Sequence, residues 1–230
     1  MNVTYSVPLH SRLLRPLMKA VFQGLFHLLS EVHIIGRENV PCGQAYIAAI
    51  NHISLYDPPF ALAFWPEMIE ALGAIDIWQR PGQKWLVRLY HGIPVHRGEY
   101  DRRVFDQALA ILASGRPLLL APEGGRSHVT SMRQAKPGVA FLAEQTGVPV
   151  IPTGIFGTTD DFWHRARRGQ RPRLEMHIGK PLYLPPVEGK GAERRVARQR
   201  NTDLVMAHIA GLLPPEYRGY YAESAILPDK

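Results

Sequence analysis

Residues 45–60 read AYIAAINHISLYDPPF and decide how this chain is understood. Tyr46 to Ile50 is an apolar run short enough for a buried strand. Asp57-Pro58-Pro59 reads as a helix start. Pro58 suits the first helical position, where its missing N–H costs nothing, and a residue before proline is pushed out of the α region. Asp57 then falls at the N-cap, its carboxylate facing the first free amides. Between strand and helix lies Asn51 to Tyr56. On one continuous helix, His52 and Asp57 would sit on different faces, five steps of about 100° apart, whereas across a turn at a strand's end they can meet. A carboxylate on one imidazole nitrogen fixes the tautomer and leaves the other nitrogen free as a base. Taken alone, the spacing also fits a core-edge histidine beside a capping aspartate.

The chain has 230 residues, 46% hydrophobic and 20% charged, which suits a globular domain with a real core. Its single cysteine, Cys42, excludes an intramolecular disulfide framework and a multi-cysteine metal site. A net charge of +7 favours an anionic partner, whether lipid headgroup, phosphorylated substrate, CoA, acyl carrier protein or nucleic acid. No run approaches the roughly 18 uninterrupted apolar residues of a spanning helix. Arg15 and Lys19 interrupt the N-terminal apolar stretch, unlike a cleaved signal peptide. The expectation is a cytoplasmic protein that touches a membrane without crossing it.

Residues 10–30 have a helical period. Leu13, Leu14, Leu17, Met18, Val21, Phe22, Leu25, Phe26 and Leu29 form one apolar stripe, with Ser11, Arg12, Arg15, Lys19 and Gln23 off it. Such a helix lies in the interface of an anionic bilayer or packs on the core, and amphipathicity alone does not separate the two. Further strands are expected at Val32–Ile35, Ile69–Ile75, Ile93–Val95, Pro117–Ala121, Val148–Pro152 and Arg173–Ile178. Helices are expected at Pro58–Phe64, somewhere after Pro81-Gly82, at Asp101–Ala113, at Val139–Gln145 and within Gly189–Leu213. Residues 157–170 read as a basic, aromatic-containing loop, and the tail from Glu216 as draped or partly loose. Strands alternating with helices predict an α/β fold: a single domain with a largely parallel central sheet flanked by helices, preceded by the N-terminal amphipathic helix. The division is 1–31 for that helix, 32–213 for the α/β domain and 214–230 for the tail.

Ligands of such sheets bind beyond the strands' carboxyl ends. His52, Arg97 and the pair Glu123/Arg126 each follow an expected strand. Pro122-Glu123-Gly124-Gly125-Arg126-Ser127 has paired glycines that let backbone amides approach an anion, plus a guanidinium fork suited to phosphate. Lys136 is another cation nearby, as readily a surface lysine.

Asn51 to Asp57 resembles the NH-x4-D motif of the glycerolipid acyltransferases, the family of bacterial 1-acylglycerol-3-phosphate acyltransferases. Residues 122–127 resemble that family's PEG-x-RS motif, with Gly125 where threonine is usual. Ile93 to Arg97 and Val148 to Pro152 are similar to its second and fourth motifs. The resemblance covers roughly residues 32–155 in four ordered motifs. It implies transfer of a fatty acyl group from acyl-CoA or acyl carrier protein to an alcohol of a lipid precursor. His52 would take the hydroxyl's proton and Asp57 would orient His52. Arg97, Arg126 and Lys84 would hold the acceptor's phosphate. Glu123 would contact the acceptor or brace Arg126, with Gly124 and Ser127 completing the loop. No metal and no cofactor beyond the acyl donor is implied. The favoured acceptor is lysophosphatidic acid, with a glycolipid or pigment hydroxyl as the alternative. The expected location is the cytoplasmic face of a membrane, peripheral or monotopic. Two rival classes remain. One is a non-catalytic basic protein on anionic membranes or nucleic acid, although no nucleic-acid fingerprint appears. The other is a serine hydrolase using Ser54, although the chain has no G-x-S-x-G elbow.

Overall fold

The structure is a computed structural model that describes residues 5–96, 102–127 and 129–228. Its strands are β1 (Glu31–Ile35), β2 (Ile47–Ile50), β3 (Glu70–Ala74), β4 (Ile93–Val95), β5 (Leu118–Leu120), β6 (Val150–Phe156) and β7 (Arg173–Ile178). Its α-helices are α1 (Leu9–Leu29), α2 (Asp57–Phe64), α3 (Gln83–Tyr90), α4 (Arg102–Ala113), α5 (Gly138–Thr146), α6 (Phe162–Arg167) and α7 (Ala192–Gly211). The strands form one sheet in the order β1-β7-β6-β2-β5-β3-β4. All pairings are parallel except β6 with β7, so β7 and its parallel neighbour β1 run against the other five. The fold is the expected α/β domain with a largely parallel sheet.

β2 sits centrally, between β6 and β5. Its side chains alternate between two cores. Ile47 and Ala49 pack with Ile111, Leu142, Met206 and Ile209 of α4, α5 and α7. Ala48 and Ile50 face Phe26, Phe60, Phe64 and Phe162 of α1, α2 and α6. Burial on both faces explains why this strand reads as an unbroken apolar run.

Three expectations change. β6 does not stop at Pro152 but continues to Phe156. Pro152 costs the ladder a donor, yet its carbonyl still accepts from the amide of Gly179 at 2.8 Å. Residues 157–170 are not all loop, because Phe162 buries itself between Phe26 and Tyr56 and carries the short α6 with it. The tail is tied down: the Tyr221 hydroxyl accepts from the Ala135 amide at 3.0 Å and donates to Asp203 at 2.9 Å, while the Ile226 amide donates to Ala207 O at 2.9 Å.

α1 is inverted relative to an ordinary core helix. Ser11 and Arg15 are buried, whereas Leu13 is 70% exposed and Leu17 61%. The apolar stripe splits: Leu13, Leu17, Val21 and Leu25 face outward, and Phe26 is buried against α2. Polar groups make the inward contacts. Lys19 Nζ donates to Trp65 O, and Gln23 Nε2 to Ala63 O at 2.8 Å. Arg15 forms two hydrogen bonds to Glu70, at 2.9 and 2.7 Å, and donates Nε to Tyr90 O at 2.8 Å. Glu70 also receives Arg116 Nε at 2.8 Å and the Tyr5 hydroxyl at 2.6 Å. Burial pushes the Glu70 carboxyl up, but the bonds and charge of Arg15, with Tyr5 and Arg116, outweigh it and hold the group below the usual carboxylate range. No helix among the described residues is long and apolar enough to cross a membrane.

Candidate active site

The site forms where β2, β5 and β6 end at the same edge of the sheet. Beyond Ile50, Asn51 is fully buried and mimics another strand pair: its Nδ2 donates to Ile155 O at 2.8 Å and its Oδ1 accepts the Ile155 amide at 2.7 Å. This side chain extends the β2–β6 pairing past the last backbone bond, then releases the chain into the turn. His52 follows, with Nδ1 3.1 Å from Asp57 Oδ2. The same oxygen accepts the amides of Ile53 at 2.7 Å and Ser54 at 2.8 Å. Asp57 therefore does not cap the amides of α2, because its carboxylate turns back onto the preceding loop. Three contacts converge on this fully buried oxygen, and with Nδ1 engaged by Asp57, Nε2 is the ring nitrogen left for other partners.

The loop after β5 grips His52 through its backbone. Glu123 Oε1 accepts the His52 amide at 3.0 Å, and His52 O accepts the Ser127 amide at 2.8 Å. Glu123 Oε2 accepts the Arg133 amide at 3.0 Å. Burial raises the Glu123 carboxyl above its usual range, against the two amides, which act to lower it. The two motifs thus meet as interlocked backbone turns.

A cavity of about 660 Å³ opens from His52, a size suited to a small organic ligand. Its wall is largely apolar, including Met18, Phe22, Leu62, Trp78, Phe105 and Leu142. Arg126, Gly124 and Lys136 line it beside His52. Gly124 has φ +68°, and a Cβ there would lie 3.2 Å from Lys136 Cδ, so the lysine chain lies flat over the glycine.

The Acyltransferase family profile matches residues 31–156, more than half of the chain. The chain belongs to the Acyltransferase family. Among curated proteins it is 29% identical over 205 residues to a 1-acyl-sn-glycerol-3-phosphate acyltransferase of Chlamydomonas reinhardtii, covering 87% of this chain and 58% of that one. It is 27% identical to the lyso-ornithine lipid O-acyltransferase of Pseudomonas aeruginosa, covering 76% of this chain and 72% of that one. The chain thus spans little more than half of its algal relative. The crystal structure of the 1-acyl-sn-glycerophosphate (LPA) acyltransferase from Thermotoga maritima superposes with a TM-score of 0.62 at 24% identity, over 85% of this chain and 78% of that one. At that identity the likeness speaks for the fold.

The structure brings some of this chain's expected site residues together and separates others. His52, Asp57, Gly124 and Arg126 converge. Glu123 does not brace Arg126; it is 3% exposed and holds backbone amides. Arg126 Nη1 instead meets both Asp160 oxygens, at 2.8 and 2.7 Å. Ser127 is buried and its hydroxyl accepts the Val129 amide at 3.4 Å, a loop contact. Lys84 is not in the cavity wall; its ammonium lies 5.5 Å from the Trp85 ring centroid. Arg80, four residues earlier and just before α3, lines the cavity in its place. Arg97 lies outside the described residues. Ser54 is fully buried, its Oγ accepting the Tyr56 amide at 3.2 Å. Sequence reasoning missed Asn51 as a brace and Thr158, whose hydroxyl donates to Asp57 Oδ1. Only the asparagine carried a local signal, from its place directly after the apolar run. Among the described residues no cluster of three or more His, Cys, Asp or Glu is placed to hold a metal ion.

Proposed function

We propose that this chain transfers a fatty acyl group from acyl-CoA or acyl carrier protein to the hydroxyl of a phosphate-bearing lipid precursor, lysophosphatidic acid giving phosphatidic acid. The observation that carries the reading is the His52–Asp57 pair at the head of a large apolar cavity, with Arg126 and Lys136 beside it. His52 Nε2 removes the acceptor's hydroxyl proton as that oxygen attacks the thioester carbonyl. Asp57 stabilises the imidazolium that forms. Collapse of the tetrahedral intermediate expels the thiolate, which takes the proton back from His52. No acyl-enzyme is needed, and the buried, engaged Ser54 hydroxyl supports that route. Arg126 and Lys136 supply positive charge for the acceptor's phosphate. The apolar wall receives acyl chain.

The outward leucines of α1, with Trp85 and Leu89 of α3, support peripheral attachment to a lipid surface. The side of the membrane expected is the cytoplasmic one.

The test is a screen of acceptors with a labelled acyl thioester, lipid products being read by mass spectrometry. Lysophosphatidic acid is expected to give phosphatidic acid with stoichiometric thiol release, and His52→Ala to abolish both. Ser54→Ala is expected to retain most activity. Acylation of lyso-ornithine lipid alone would reassign the acceptor. Equal inertness of wild type and His52→Ala on every acceptor would refute the reading.

A further inference from the structure

The segment that follows β6 contributes nothing to the recognised motifs, yet it completes the environment of Asp57. Oδ2 of that carboxylate serves His52 Nδ1 and the amides of Ile53 and Ser54. Oδ1 receives the hydroxyl of Thr158, 101 residues away in the chain and itself fully buried. The three contacts on Oδ2 all approach one oxygen, and rotation of the carboxylate about its Cβ–Cγ bond moves both oxygens together, so a donor on Oδ1 adds a second, opposed restraint on the same plane. The Thr158 hydroxyl supplies that second point. Its backbone is fixed in turn: Gly157 has φ +85°, and a Cβ there would stand 2.1 Å from Arg173 O, so the loop runs tight against β7. Two residues further on, Asp160 holds Arg126.

We propose that Thr158 is a positioning residue for acyl transfer, fixing the plane of the Asp57 carboxylate so that Oδ2 meets His52 Nδ1 and Nε2 faces the cavity. The hydroxyl donates its hydrogen bond to Asp57 and is fully buried, so its role is positioning rather than contact with substrate. The proposal rests on the His52 general-base reading given above. Without the hydroxyl, a fully buried carboxylate oxygen has no donor, and the group turns to regain one. The imidazole turns with it and leaves the attack geometry.

Steady-state kinetics with an acyl-CoA donor and lysophosphatidic acid test this. Thr158→Val, nearly the same shape without the hydroxyl, is expected to lower kcat by about tenfold or more, as befits a lost charge-assisted bond, while KM for both substrates stays within about twofold. Thr158→Ser is expected to recover most of the loss. In an Asp57→Ala background, Thr158→Val is expected to cost nothing further, since there is no carboxylate left to hold. The His52 Nδ1 proton resonance gives a readout independent of turnover. It should be sharp and downfield in wild type and Thr158→Ser, and broadened or lost in Thr158→Val or, if that variant is insoluble, Thr158→Ala. An active wild type with an unaffected Thr158→Val, a loss that persists undiminished without Asp57, or a Thr158→Ser as impaired as the valine variant would each overturn the role of Thr158 alone. A wild type inert on every acceptor would overturn the reaction and this role together.

Discussion

Replacing Glu70 by glutamine strikes at the contact that seats α1. Glu70 is fully buried and Arg15 is 2% exposed. The carboxylate receives two bonds from Arg15, one from Arg116 Nε and one from Tyr5. Glutamine keeps the volume and one acceptor, but turns an N–H₂ towards a guanidinium. Arg15 then retains Tyr90 O and its stacking at 4.6 Å over the Tyr90 ring, with no compensating charge. Removing one partner of a buried pair costs about 3–5 kcal/mol, a large share of the roughly 5–15 kcal/mol that holds a domain together. At about 2–4 °C per kcal/mol for a chain of this length, the melting temperature should fall by roughly 6–20 °C. Arg15→Met with Glu70→Leu should recover part of that loss, because no buried charge is then stranded on α1. Acid gives a second check. The Glu70 carboxyl is held below the usual range, so its contribution is complete above the unfolded value of about 4.3 and fades as pH falls through the folded one. Melting curves between about pH 3 and 7 should therefore show a larger acidic loss in the wild type than in Glu70→Gln, which keeps only the share of carboxyls such as Glu144. Hydrogen exchange would place the early opening in α1. A glutamine variant melting within about 2 °C of wild type, or a double variant worse than the single, would refute this account of how α1 is seated.

Other perturbations follow from the same contacts. Leu13→Gln with Leu17→Gln should leave thermal stability nearly unchanged, since both side chains are exposed, yet weaken binding to anionic vesicles by more than about tenfold in a sedimentation assay; unchanged sedimentation would count against α1 as the attachment face. Glu123→Gln should lower kcat several-fold more than it raises acceptor KM, because Glu123 holds the His52 amide and not ligand; a pure KM effect would restore it as an acceptor contact. Asp160→Asn should lower the KM for a phosphate-bearing acceptor by about 2–5-fold at nearly constant stability, since the exposed pair contributes little to folding and occupies Arg126 Nη1; a raised KM would mean that Asp160 aims the arginine.

How much of this was legible in the sequence depends on whether a signal was local. The β2–turn–α2 unit was, because an apolar run and a proline pair mark its two ends. The meeting of His52 and Asp57 followed from the turn between them. Burial of Phe162, which makes α6, depends on Phe26 and Tyr56 and left no periodic trace in residues 157–170. Periodicity located the stripe on α1 but not which side the protein takes; a buried glutamate on β3 decides that, and nothing near residue 15 announces it. Lys84 was favoured because the resemblance called for a lysine upstream of Arg97, whereas it is Arg80 that lines the cavity, which residue type alone does not announce. Thr158 is the plainest case: its partner lies 101 residues away, and only folding makes them neighbours.

An arginine turned inward and leucines turned outward give α1 no single good solvent. In plain buffer those leucines have only one another, so copies of this chain should cluster through them and come apart when detergent or lipid supplies the missing oil. Biochemistry done without an amphiphile would then be measuring a different particle. Under the proposed attachment to lipid, the working state of this chain would be set at a boundary between two liquids.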